Sequence, residues 1–72
     1  MNEHRSIDVQ VKNEGTIFAF RPLTTAGLHW IRTKVHAEPH QWLGPILCVD
    51  HRYARGIMAA MRHDHLKLEM LL

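Results

Sequence analysis

The chain has 72 residues, with nine Lys and Arg against seven Asp and Glu, seven His and a single Cys. A chain of this size makes one domain that buries only about 60% of the surface its unfolded form exposes, so residues 1–72 are read as a single domain, with a flexible polar tail at 1–6. A formal net charge of +2 excludes a strongly basic protein, the lone Cys48 excludes an intrachain disulfide, and no window approaches the ~18 apolar residues of a membrane span.

The first predicted element is a strand in which Ile7, Val9 and Val11 alternate with Asp8, Gln10 and Lys12, the period-2 pattern of a sheet with one wet face. Asn13-Glu14-Gly15 reads as a turn with Gly15 free to take positive φ. A second strand, Thr16 to Arg21, completes a hairpin. Pro22 ends it, and Thr24 caps a helix reaching about His36, with Leu23 and Leu28 spaced for a hydrophobic staple. Leu28, Ile31 and Val35 line its apolar side, Gly27 allows close approach to the sheet, and Trp30 lies at the stripe's margin.

Residues 37–45 are read as one long loop containing Trp42 and ending in the turn signal Gly44-Pro45. Ile46-Leu47-Cys48-Val49 is continuously apolar, which predicts a strand buried on both faces and a buried, reduced thiol. Asp50 supplies a helix cap. In the helix that follows, at about 100° per residue, Tyr53, Ala54, Ile57, Ala60 and Met61 share an arc about 120° wide, the predicted core face. His63-Asp64-His65 stands where a glycine usually ends a helix, a position Asp or His can fill at some cost. Leu66, Leu68 and Met70 alternate with Lys67 and Glu69 as a final strand.

The predicted order is therefore ββαβαβ. It implies a small two-layer α/β sandwich, with a four-stranded mixed sheet in the order 1-2-3-4 and two helices on one face. The uncovered sheet face, expected to carry Val and Phe, or the terminal strand with its apolar Met70-Leu71-Leu72, would support a homodimer.

The spaced pattern Pro22-Leu23-Thr24, Trp30-Ile31, Val35, Trp42-x-Gly44, Val49, Arg52-Tyr53, Met61 and Leu66 resembles a group of short uncharacterised bacterial proteins of phage or mobile-element type. The resemblance spans about Thr16 to Met70 and implies a fold; no activity or catalytic residue comes with it. In that group a glycine often stands where this chain has His65, which implies a different helix end here.

Two surfaces stand out as candidate sites. If the second and third strands are parallel neighbours, Arg21, Thr24 and Thr25 meet Asp50, His51 and Arg52 on one rim, where strand ends and helix N-termini favour ligands. The second helix also presents Arg52, Arg55 and Arg62 with His51 and His63, without an interleaved acid to pair them. Trp42 and Tyr53 join these arginines as the residue types that dominate interfaces. No catalytic residue, metal set or cofactor motif stands out: a zinc site needs three or four converging ligands, and Cys48 has no activating neighbour.

The sequence thus predicts a non-enzymatic, cytoplasmic protein-interaction module, with a protein partner, a homodimeric state and no membrane. Through the resemblance, one concrete version is an inhibitor of a host defence complex. The alternative is a small nucleic-acid-binding accessory protein using the basic face of the second helix, which should lose affinity steeply with salt.

Overall fold

The computed structural model describes residues 7–71; the tail expected at 1–6 lies outside them. Its elements are β1 (Val9–Asn13), β2 (Ile17–Pro22), α1 (Thr25–Lys34), β3 (Trp42–Leu43), β4 (Ile46–Asp50), α2 (His51–His63) and β5 (Leu68–Leu71), with a short 3-10 turn at Pro39–Gln41 before β3. The class is α/β, and the mixed sheet has five strands in the order β3-β4-β2-β1-β5.

Local chemistry explains most of these boundaries. In the β1–β2 turn, Gly15 has φ of 92°, and its N–H donates to Asn13 Oδ1 at 2.8 Å. Thr24 Oγ1 accepts the Gly27 N–H at 3.0 Å, which caps α1. Asp50 Oδ1 accepts the Arg52 N–H at 2.8 Å, which caps α2. Helix α2 ends in a Schellman motif: Leu66 N–H reaches the Met61 carbonyl and His65 N–H reaches Arg62, each at 3.0 Å. That geometry puts His65 at φ of 69°, in the left-handed region that favours glycine.

The topology departs from the predicted order 1-2-3-4. Segment 37–45 was expected to be a loop, yet Trp42-Leu43 forms a strand joined to β4 by Gly44-Pro45, with Gly44 at φ of 59°. This matches a two-residue hairpin with glycine at its first turn position. The extra pass reverses the chain once more before β4, so β4 runs antiparallel to β2 rather than parallel. Helix α2 then carries the chain past β2 and β1, and β5 pairs in parallel with β1 at the opposite edge.

Val9, Val11, Phe18, Phe20, Leu47 and Val49 form the buried face of the sheet, and Trp30, Ile31, Ala54, Met58 and Met61 pack on it from the two helices. Each fully buried side chain of this size contributes about 1.5–3 kcal/mol relative to exposure. The Val and Phe residues therefore lie under the helices, not on the uncovered face. That outer face carries Ile17, Ala19, Ile46 and Cys48 with Gln10, Lys12, Arg21 and Glu69, as strand alternation requires. Strand β4 is accordingly buried on one face only, and Cys48 is half-buried rather than enclosed.

Asp8, just before β1, ties three elements together. Its carboxylate accepts Thr24 Oγ1 at 2.7 Å and the Lys67 N–H at 2.9 Å, and its carbonyl accepts the Leu23 N–H at 2.8 Å. The cap of α1 and the start of β5 are thereby held to the first strand. Gly27 packs against the Asp8 carbonyl and a Val9 methyl, leaving no room for a side chain.

Candidate functional site

The predicted rim does not assemble. Antiparallel pairing sets Ile17 opposite Asp50 and Gln10 opposite Arg21. Arg21 and Thr25 therefore lie at one end of the sheet, and His51, whose N–H donates to the Thr16 carbonyl at 2.8 Å, lies at the other. The parallel neighbours on which that rim depended are absent.

The basic face of α2 is exposed, but it is narrower than its sequence suggests. Arg52 Nε and Nη2 each donate to the Asp50 carboxylate at 3.0 Å, and the guanidinium lies 5.8 Å from the Tyr53 ring centroid. Hydrogen bonds from Arg52 side chain and backbone hold the Asp50 carboxyl down to about 2, and Asp50 in turn raises Arg52. Arg52 is thus committed to the start of its own helix. No carboxylate among the described residues lies within ion-pair distance of Arg55 or Arg62. These two line a recess of about 440 Å³ with Phe18, Met58 and Met70.

Tyr53 belongs to a different surface. It is 64% exposed and lies about 160–180° around the helix from Arg55 and Arg62. The core face of α2 is rotated from the predicted arc: Met58 is buried, whereas Tyr53 and Ala60 are exposed. Trp42 is half-buried against the core beneath a separate groove with Leu28, Ile31 and Pro45. The five predicted partner-binding residues do not form one patch.

A trough of about 690 Å³ lies between the two helices, lined by Trp30, Val35, Tyr53, Gly56, Ile57 and Ala60. The small residues Gly56 and Ala60, four apart on α2, keep it open. Lys34, His36, His63 and Asp64 stand around the apolar floor. Trp30, at the margin of its stripe in sequence, is buried here and donates Nε1–H to Asp64 Oδ2 at 2.7 Å. This bond is the largest influence lowering the Asp64 pKa, followed by the hydrogen bond to His63; Lys34 Nζ adds an electrostatic contribution from 4.0 Å. The carboxylate of the trough is thereby held ionised by its own neighbours, with Lys34 as its counter-charge.

Trp30, Lys34, Gly56 and Ala60 were missed by sequence reasoning as members of a site. The spacing Tyr53, Gly56, Ala60 was the available signal, a stripe too small to fill the space between two helices. Among the described residues no three His, Cys, Asp or Glu side chains group to hold a metal ion, and no helix is long and apolar enough to cross a membrane. The class defined by fold and surface is a small mixed-sheet α/β protein with an open inter-helix trough. No family model matches the chain, and no match is found among curated proteins or solved structures.

Proposed function

We propose that this protein is a non-enzymatic interaction module whose trough between α1 and α2 receives an acidic, amphipathic helical segment of a partner protein. The observation that carries this reading is the pairing of an apolar floor, with Trp30, Ile57 and an exposed Tyr53, and a rim whose single carboxylate is already engaged. An amphipathic helix placing apolar residues at i, i+3, i+4 and i+7 fits such a trough, and aromatic anchors supply most of the affinity in interfaces of this type. Acidic residues flanking that stripe meet Lys34, beside which His36 and His63 offer ring N–H donors. In the version suggested by the resemblance, the segment belongs to a host defence complex.

Nucleic acid is the weaker reading, because Arg52 is held by Asp50 and only Arg55 and Arg62 remain on that flank. The two are separated by titrating the protein with an acidic amphipathic helical peptide and, separately, with duplex DNA and single-stranded RNA, followed by NMR shift changes. Peptide binding that perturbs Trp30 and Tyr53 and is lost in Tyr53→Ala supports the module. Salt-sensitive nucleic-acid binding lost in Arg55→Ala/Arg62→Ala, with Tyr53→Ala unaffected, overturns it.

A further inference from the structure

The two edges of the sheet are unequal. At one, β3 is two residues long. At the other, β5 presents four residues, Leu68-Glu69-Met70-Leu71, without proline and with Met70 and Leu71 exposed. The Val9 N–H donates to the Lys67 carbonyl at 3.2 Å, so Lys67 and, by alternation, Glu69 and Leu71 direct their backbone groups toward β1. Leu68 and Met70 direct theirs to the side on which no strand among the described residues pairs with β5. An edge of this kind is a template for another strand.

We propose that the chain forms a twofold dimer in which β5 pairs antiparallel with β5 of a second copy, Leu68 opposite Leu68. Hydrogen-bond phase restricts the choice, because outward-facing residues must stand opposite one another. Three registers satisfy it for these residues: Leu68 on Leu68, Leu68 on Met70, and Met70 on Met70. The first runs on into Lys67 and Leu66, which precede β5 and of which Leu66 already gives its N–H to the Met61 carbonyl. The second sets Glu69 against Glu69 of the copy, a directly opposed like-charge pair that destabilises a sheet. The third sets Glu69 against Leu71. Only the first sets Lys67 against Glu69, and it does so twice.

Glu69 is suited to this contact. Its Oε1 accepts Gln10 Nε2 at 2.8 Å, which fixes the carboxylate on the outer face. On the helix side the same register brings Leu66 of the copy against Met70, beside the recess that Met70 forms with Phe18 and Met58. The two five-stranded sheets become one continuous sheet. This contact is remote from the inter-helix trough, so it stands or falls independently of the partner proposed for that trough.

The test is solution mass by sedimentation equilibrium at sub-millimolar concentration, with circular dichroism to confirm folding. The wild type should show twice the chain mass of 8.4 kDa. Met70→Pro removes an outward N–H that β1 does not use and should halve that mass. Glu69→Lys should also halve it, and the double exchange Lys67→Glu/Glu69→Lys should restore it. The other registers predict no such rescue, since they leave residue 69 facing itself or Leu71. A wild-type monomer, a dimer indifferent to Met70→Pro, or a double exchange that stays monomeric while folded overturns the proposal.

Discussion

The same substitution in the two helices is expected to have opposite signs. Gly27 and Gly56 both sit inside helices, where alanine is preferred over glycine by about 0.8–1 kcal/mol. At Gly56 an added Cβ meets nothing within 4 Å, so Gly56→Ala should gain most of that preference. At Gly27 the Cβ runs into the Asp8 carbonyl oxygen, with the carbonyl carbon at 3.1 Å and a Val9 methyl at 3.2 Å. Comfortable carbon contacts lie at about 3.5–4.0 Å, so α1 must move off β1. Such overpacking costs about 1–3 kcal/mol. The displaced carbonyl also accepts the Leu23 N–H, and weakening that bond costs about 1 kcal/mol more. Subtracting the helix preference leaves Gly27→Ala destabilised by about 1–3 kcal/mol. For a domain of this length 1 kcal/mol moves Tm by about 4–8 °C, so thermal and urea unfolding followed by far-UV circular dichroism resolve both effects. A Gly27→Ala protein as stable as wild type would refute the close-approach argument.

Five further substitutions and two pH series probe other parts of the fold. His65→Gly should stabilise by about 0.5–1 kcal/mol, because relief of the left-handed strain of about 1–2 kcal/mol outweighs the added chain entropy of about 0.4–1 kcal/mol; His65→Ala, measured the same way, should gain nothing. Thr24→Ala removes both the α1 cap and the bond to Asp8, and urea midpoints should show a loss of about 1–2 kcal/mol. The Asp50 carboxyl, at about 2 instead of 3.8, contributes stability that is present above pH 3.8 and lost as pH falls toward 2; Asp50→Asn keeps a capping oxygen and should flatten this acid limb in a stability-against-pH series. Trp30→Phe removes the main hydrogen bond that lowers Asp64, so a carboxyl-carbon NMR titration should show the Asp64 pKa rising toward its ordinary value.

What could be read from sequence was what short-range chemistry decides. The Asn13-Glu14-Gly15 turn, the Thr24 and Asp50 caps, the limits of α2 and the unusual His65 are all determined within a few residues. Strand order was not legible, because it turned on Trp42-Leu43, two residues whose pairing with β4 reverses every later direction. The rim failed with it, since Arg21 and His51 were joined only through that assumed parallel pairing. The trough was hidden for another reason. Tyr53 and Ala60 fall on the apolar arc of their helix, yet they face a gap that Gly56, lacking a side chain, leaves empty. The Trp30–Asp64 bond spans 34 positions and has no local signature.

The Asp8 junction makes the order of synthesis matter. Strand β1 lies inside the finished sheet, yet one of its two neighbours is β5, 59 positions later at the Asp8–Lys67 contact. A nascent chain emerging from the ribosome can form the hairpin, α1, and the β3–β4 pair while the outer side of β1 still lacks its ladder partner. Contacts of such long sequence separation slow folding. During this interval Val9 and Val11 border an unpaired edge, the type of surface that recruits strands from other chains. Binding of Lys67 by Asp8 closes that window, so a variant such as Asp8→Ala should show its defect in yield from the cell more strongly than in the stability of protein already folded.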